Sequence, residues 1–145
     1  MILDSQALFS DDQAITATAI STNVLDLGVP GTPVKGNALV RDVGPGNPLT
    51  LLCQVTEDFD ALTNLIITVE VSAAAALTSS KVLSSQTILL ADLVAGKQLN
   101  IQAIPNDADL RYLGLRYTVT GTGPSVGKIT AGISAGNDTN NNTYK

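Results

Sequence analysis

The sequence of 145 residues lacks several residue types on which protein chemistry commonly depends. It has no histidine, no tryptophan, a single cysteine (Cys53), three tyrosines and two phenylalanines. Without histidine, the chain has neither the commonest general base nor the commonest metal ligand. One cysteine forms neither an intrachain disulfide nor a zinc site of three or four Cys and His ligands, and we interpret Cys53 as a small buried apolar residue. We therefore expect a protein that is not an enzyme and that holds no cofactor.

Charged side chains are scarce as well, and their balance is acidic. They make up 14% of the residues, with 8 Lys and Arg against 13 Asp and Glu and a net charge of −5, whereas about 25% is typical of soluble domains. Nucleic-acid-binding proteins need clustered basic side chains, and anionic membrane surfaces repel acidic proteins. The chain has no basic cluster, no apolar run of 18 residues and no signal-peptide pattern at its start. We expect no nucleic acid and no membrane as partner, and synthesis in the cytoplasm.

The low charge also bears on self-association. A free monomer normally stays soluble through its charged surface residues, whereas here Thr, Ser, Asn and Gly supply most of the polar character. Either the surface is a Thr-rich β-sheet, or neighbouring subunits cover much of it. The second explanation predicts a homo-oligomer, a dimer or a trimer.

Apolar and polar residues alternate with a period of two along most of the chain, which is typical of half-buried strands. In residues 65–71, for example, the odd positions are Leu, Ile, Val and Val, while the even positions are Ile, Thr and Glu. Gly- and Pro-rich turns separate eight or nine such runs: Ala14–Ser21, Asn23–Leu27, Ala38–Val40, Leu49–Thr56, Asn64–Ser72, Lys81–Leu90, Leu99–Ile104, Tyr112–Thr120 and Lys128–Ala135. This spacing predicts an all-β fold, a jelly-roll-type antiparallel β-sandwich of about eight strands with extended terminal arms. The sandwich is expected over residues 14–135.

The two ends differ from this pattern. Residues 1–13 carry Leu3, Leu8 and Phe9 without a clear period, so we expect an N-terminal arm that packs on a neighbouring subunit, the alternative being an arm folded back over its own sandwich. Residues 136–145 form a polar C-terminal tail in which Tyr144 has the only large apolar side chain. If a neighbour orders this tail, Tyr144 is expected to anchor it.

Two further groups of residues are candidates for a functional site. Glu57, Asp58 and Asp60 form the densest acidic group, but they lack the alternating spacing of a calcium loop, and we interpret them as part of a solvated loop. Tyr112 and Arg116 share one face of the run at 112–120. The main interpretation of this run is a central strand of the core. The second is that Tyr112 and Arg116 also supply an interface, because Arg and Tyr are enriched at binding hot spots.

The order and spacing of several segments resemble a known family. Residues Gln13–Gly28, the turn Ala91–Gly96 after an apolar strand, and the closing pair Arg111–Gly121 and Gly127–Ile133 resemble capsid cement proteins of the Bordetella-phage type. The resemblance covers roughly residues 5–135 and carries no catalytic motif.

The resemblance implies a jelly-roll protein that binds the outer surface of a tailed-phage head. Such a protein bridges neighbouring subunits of the major capsid protein, its expected partner, and is located on the exterior of the virion capsid. The residues expected at an interface are Leu3, Leu8, Phe9, Tyr112, Arg116 and Tyr144. An alternative function is a small jelly-roll module that binds surfaces, an adhesin or a carbohydrate-binding domain, although the shortage of aromatic residues disfavours sugar binding.

Overall fold

The computed structural model describes residues 3–29, 49–99, 101 and 104–134, and these residues form an all-β fold. Its strands are β1 (Leu3–Ala14), β2 (Ala19–Ile20), β3 (Leu25–Asp26), β4 (Thr50–Glu57), β5 (Leu62–Ser72), β6 (Lys81–Leu89), β7 (Tyr112–Gly121) and β8 (Lys128–Ser134). A single 3-10 turn, Leu90–Asp92, is the only helical element in this part of the chain. No helix within the described ranges has the length and apolar character needed to span a membrane.

The strands form two antiparallel sheets. The first has the order β1-β8-β4, and the second has the order β2-β7-β5-β6, with β3 also pairing with β7. Beyond β4, the two antiparallel bridges Gln54–Gln98 and Leu49–Ile104 place a further short segment at the edge of the first sheet. With that segment included, the chain visits the two sheets in the order of a jelly roll. The predicted all-β sandwich of about eight strands is confirmed.

The core lies between the two sheets, where most inward-facing apolar residues of β4, β5, β7 and β8 are buried,. In β5 these are the odd positions from Leu65 to Val71, and in β7 they are Leu113, Leu115 and Tyr117, all 0% exposed. Leu51, Cys53 and Val55 of β4 face them together with Ile129 and Ala131 of β8. Each large apolar side chain buried there contributes roughly 1.5–3 kcal/mol to folding. The period of two therefore identified the core faces of β4, β5, β7 and β8.

Residues 14–21 do not form the strand that the alternation predicts. Strand β1 ends at Ala14, the chain bends through residues 16–18, and β2 contains only Ala19 and Ile20. Ile15 is fully buried, and its N–H donates to the carbonyl of Gly127 at 3.0 Å, which fixes the bend. An alternation built on small Ala and Thr residues suits a corner between two sheets as well as it suits a strand.

The prediction of a separate N-terminal arm is wrong, because residues 3–14 form β1 and pair with β8. The register between these strands shifts three times, between Leu3 and Leu8, between Leu8 and Ser10, and between Ser10 and Gln13. Each shift moves the following side chains to the opposite face. The segment therefore shows no period in the sequence although it lies in a sheet. The predicted short strand Ala38–Val40 and the tail 136–145 lie outside the described residues.

Candidate interaction surfaces

An open groove lies between β1 and the chain that passes through β3. Its volume is about 530 Å³, and the residues lining it include Ser5, Gln6, Leu8, Asp11, Asn23 and Leu25. Asn23 joins the two walls, because its N–H donates to the carbonyl of Phe9 at 2.9 Å and its side-chain Nδ2 donates to the carbonyl of Leu8 at 2.6 Å. The groove is thus a surface feature with walls fixed by backbone hydrogen bonds.

The three apolar residues predicted for an N-terminal interface have different positions. Phe9 is 0% exposed and belongs to the core between the sheets, so its assignment to an interface is wrong. Leu8 is half-buried and lines the groove. Leu3 pairs with Ser134 at the end of the first sheet. Adjacent residues of a strand point to opposite faces of the sheet, which explains why Leu8 and Phe9 have such different burial,.

Tyr112 lies close to the end of this groove. It is half-buried and pairs across strands with Asp26, which lines the groove. The guanidinium of Arg111 lies 4.9 Å from the centre of the Tyr112 ring and donates from Nε and Nη2 to the two carboxylate oxygens of Asp26, at 2.9 and 2.7 Å. The hydrogen bonds that Arg111 donates to Asp26 raise the pKa of the Arg111 guanidinium,. Leu8 and Tyr112 are therefore the two predicted interface residues that the fold leaves near one surface.

Arg116 lies elsewhere, on the outer face of the second sheet, where it binds Glu70 of β5. Arg116 Nε lies 3.0 Å from both carboxylate oxygens of Glu70, and the hydroxyls of Thr68 and Ser80 donate to the same carboxylate at 2.7 Å. The Glu70 side chain is only 4% exposed and that of Arg116 is 30% exposed. Burial by itself raises the pKa of Glu70, but the hydrogen bonds from Arg116, Thr68 and Ser80 outweigh it and lower the pKa overall,.

The Glu70–Arg116 pair fastens the loop after β5 onto the sheet. Arg116 Nη2 donates to the carbonyl of Leu77 at 2.9 Å, and Leu77 is buried although it belongs to a loop. Gly114 makes room for it, since a Cβ at that position would lie 2.8 Å from Leu77 Cδ1. Ser72 Oγ donates to the carbonyl of Thr78 at 2.7 Å and closes the loop. Arg116 thus has a structural role inside the chain, which its position in the sequence did not reveal.

The acidic residues 57–60 each interact with a different part of the chain. Glu57 forms an ion pair with Lys128 at 3.3 Å, Asp58 accepts a hydrogen bond from the N–H of Ala95, and Asp60 accepts from the N–H and hydroxyl of Ser125. The hydrogen bonds from Ser125 lower the pKa of Asp60. Within the described ranges, no three His, Cys, Asp or Glu side chains are grouped so that they could hold a metal ion. Asp58 and Asp60 therefore connect loops that are distant in the sequence, and Glu57 links β4 to β8.

Every basic side chain in the described ranges pairs with a carboxylate of the same chain. The five are Lys81 with Asp107 and Asp109, Lys97 with Asp92, Arg111 with Asp26, Arg116 with Glu70, and Lys128 with Asp12 and Glu57. The same ranges hold eleven Asp and Glu residues. The described part of the surface is therefore acidic, and its five cations are paired with carboxylates.

The chain matches the model of one protein family, Bbp16, over residues 9–133. The matched range begins within β1 and ends within β8, so it includes both sheets. No curated protein matches the chain.

Proposed function

This chain belongs to the Bbp16 family, and we propose that it is a capsid cement protein of a tailed phage. It binds the outer surface of the head and stabilises contacts between subunits of the major capsid protein. The observation that carries the proposal is the family match, which extends through the whole sandwich and whose Bbp prefix points to a Bordetella phage. The segments that resemble phage cement proteins lie within the same range.

The rigid sandwich suits a protein whose function is to bind the capsid and remain bound. A cement protein that binds only the assembled shell stabilises it by mass action, by about 2.7 kcal/mol per site when its concentration is 100 times the Kd. The sandwich buries its strands in one continuous core. A rigid body of this kind loses little conformational freedom when it binds, so more of the contact energy appears as affinity.

The distribution of charge supports the outer rather than the inner surface of the shell. Packaged DNA presents a dense array of negative charge, and proteins that contact it neutralise phosphates with free Lys and Arg. Here eleven acidic residues accompany five basic ones in the described ranges, and each of the five is engaged by a carboxylate. DNA would repel this surface.

The groove beside Leu8 and the adjoining Tyr112 is the capsid-contact surface under this proposal. Leu8 supplies half-buried apolar area, and Tyr112 supplies an aromatic ring held in position by Arg111. Tyrosine beside an arginine is a combination enriched at binding hot spots. Tyr112 lies at the first residue of β7, at the end of the molecule opposite the loop that contains Val126.

A sedimentation assay tests the function. The purified protein is mixed with expanded phage heads that lack it, and the heads are pelleted. We expect saturable binding and an increase in the temperature at which the heads release DNA or disassemble. Recovery of the protein only in the supernatant, with heads competent to bind an authentic cement protein, would overturn the proposal.

A matched pair of variants tests the contact surface. Tyr112→Ala is expected to weaken head binding at least tenfold, because it removes an aromatic anchor worth more than about 1.4 kcal/mol. Val126→Ser changes an exposed apolar residue at the other end of the sandwich and serves as the control. Equal binding by the two variants, with unchanged thermal unfolding of both, would assign the capsid contact to another surface.

A further inference from the structure

The loop between β5 and β6 lies beside the capsid-contact surface. Its residues 73–80 follow Ser72, which pairs across the strands with Tyr112. Ser72 Oγ accepts a hydrogen bond from the N–H of Ala74 at 3.1 Å and donates one to the carbonyl of Thr78 at 2.7 Å. The loop is therefore fastened at two points to the residue that faces Tyr112.

The same loop reaches the groove through Leu77. This side chain is 1% exposed, and its Cδ1 lies 2.8 Å from the position of a Cβ at Gly114, on the outer face of β7. The Cγ2 of Val24 lies 3.2 Å from the same position, so Leu77 and Val24 lie side by side over Gly114. Val24 is half-buried and lines the groove. Leu77 thus supports one wall of the groove from the side of the second sheet.

The backbone of the loop has a conformation that depends on its surroundings. Leu77 and Ser79 have φ values of +49° and +51°, in the left-handed region that residues other than Gly, Asn and Asp seldom adopt. Such conformations persist only where neighbouring contacts determine them. Here Arg116 Nη2 donates to the carbonyl of Leu77 at 2.9 Å, and the hydroxyl of Ser80 donates to Glu70 at 2.7 Å. The Glu70–Arg116 pair therefore holds the loop from both of these residues.

The exposed side of the loop is neutral and has small side chains. Residues 71–80 contain no charged side chain, whereas the described part of the surface is acidic as a whole. Ala73, Ala75 and Ala76 are exposed, and their side chains end at Cβ. A partner can therefore approach the loop backbone closely, and no ionised group loses its hydration when the loop is covered. This chemistry fits a neutral face of another protein.

We propose that the loop 73–80 extends the capsid-contact surface beyond the groove, and that the Glu70–Arg116 pair holds both parts in the conformation that binds. Glu70 fixes Arg116, whose guanidinium holds the carbonyl of Leu77. Leu77 in turn supports Val24 in the groove wall. Glu70 is a positioning residue, since its side chain is 4% exposed and reaches no partner. The inference rests on the proposed function and names the partner's chemistry, a neutral face of the major capsid protein. A loop held in place before binding loses less conformational freedom when it binds.

Sedimentation with expanded heads tests the positioning role of Glu70. We expect Glu70→Gln to weaken binding by roughly tenfold or more, because the loop and the groove wall lose their fixed geometry. Two controls lie at the opposite end of the sandwich, Gly127→Ala, where a Cβ would overlap Phe59, and the milder Gly96→Ala. They lower stability without touching the loop and should bind as the wild type does. Wild-type affinity of Glu70→Gln, or equal weakening by a control of the same stability, would refute the positioning role.

A pair of alanine positions tests whether the loop itself touches the capsid. Ala75 and Ala95 are both exposed, Ala75 in the loop and Ala95 at the far end of the sandwich. We expect Ala75→Lys to weaken head binding by roughly tenfold, because it places an unpaired charge in a neutral contact. Ala95→Lys should bind as the wild type does. Equal binding by the two lysine variants would remove the loop from the contact surface.

Amide hydrogen exchange in the free protein tests the coupling between loop and groove without the capsid. The N–H of Leu77 is bonded within the loop at 3.0 Å, and the N–H of Asn23 is bonded to β1 at the groove at 2.9 Å. In Glu70→Gln we expect both amides to exchange roughly tenfold faster, because local opening becomes easier. The amide of Gly96, bonded to β4 at 2.8 Å, should change less. Faster exchange at Leu77 alone would refute the support of the groove wall. Coupled exchange in a wild type that fails to bind heads would overturn only the capsid role.

Discussion

At the scale of single residues, the Glu70–Arg116 pair shows how a polar side chain becomes part of the core. Glu70 is on the face of β5 that the alternation marks as wet, yet it is almost completely buried because the loop around Leu77 lies over it. Four hydrogen bonds satisfy the carboxylate. A buried charge that is satisfied in this way fixes the geometry of its surroundings more than it adds stability, whereas removing one partner is costly.

We expect Glu70→Gln to lower the free energy of unfolding at pH 7 by about 1–3 kcal/mol, because Arg116 keeps its charge and loses its partner. The effect should be pH-dependent. The pKa of Glu70 is lowered in the folded state, so its stabilising contribution is present above the unfolded value of about 4.3 and is lost as the pH falls through the folded value. Urea unfolding at pH 7 and pH 3 measures both effects.

The matched control for this prediction is Glu57→Gln. Glu57 forms an exposed ion pair with Lys128, with side chains 43% and 38% exposed, and such pairs contribute about 1 kcal/mol or less. An equal loss of unfolding free energy by the two variants at pH 7 would show that the buried Glu70 pair stabilises the fold no more than an exposed ion pair does.

Gly127 illustrates a second residue-scale constraint. Its φ is +134°, and a Cβ at this position would lie 2.4 Å from Cδ1 of the buried ring of Phe59. We expect Gly127→Ala to lower the free energy of unfolding by about 3 kcal/mol, since backbone strain and overpacking act together. Gly96 also has a positive φ, +84°, but nothing lies within 4 Å of a Cβ built there. Gly96→Ala should therefore cost only about 1 kcal/mol. Thermal unfolding compares them, and an equal loss would contradict the role of Phe59.

At the scale of elements, β1 decides whether the first sheet is complete. It contributes Phe9 to the core and Ser10 to a buried hydrogen bond with Tyr117 Oη at 2.8 Å. Tyr117 is buried among apolar side chains, and this burial raises the pKa of its hydroxyl, so the group is a neutral partner for Ser10. β1 is therefore part of the folding unit, and it shields β8.

Deletion of residues 1–10 should abolish folding of the monomer rather than only weaken assembly. The deletion removes most of β1, including Phe9, whose truncation alone is expected to cost about 3–5 kcal/mol. Circular dichroism of the deletion variant measures this. Phe9→Ala and Leu8→Ala compare a buried with a half-buried position of the same strand. Truncation of the half-buried Leu8 should lower the free energy of unfolding by at most about 2 kcal/mol. A deletion variant that unfolds at the wild-type temperature would restore the interpretation of residues 1–13 as an arm.

At the scale of the whole molecule, the described sandwich ends with β8 at Ser134, and residues 136–145 carry one large apolar side chain, Tyr144. Burial within the domain cannot then offset the cost of ordering the tail, about 1–2 kcal/mol per residue. We expect truncation after Ala135 to change the melting temperature of the free protein by no more than about one degree. Scanning calorimetry of the truncated and full chains checks this. A loss of several degrees would show that the tail belongs to the sandwich.

The sequence by itself determined the fold class and the core faces of the long strands. The period of two in β4, β5, β7 and β8 depends only on neighbouring residues, and the Gly and Pro residues form turns locally. Both signals can therefore be recognised in the sequence without knowledge of the partner strand. The sequence also indicated that Cys53 is buried, and this burial raises the pKa of its thiol to about 12. The homo-oligomer that the low charge suggests stays a prediction.

Only the tertiary structure decided how residues far apart in the chain meet. Glu70 and Arg116 are 46 positions apart and become neighbours through the register of β5 and β7. Phe9 lies in the core as part of β1, and the three register shifts of that strand erased the period that would have revealed it. β6 lies at the end of its sheet, among the described strands, because of the order in which those strands pair. Register and strand order are set by the packing of the whole sandwich, and no local pattern encodes them.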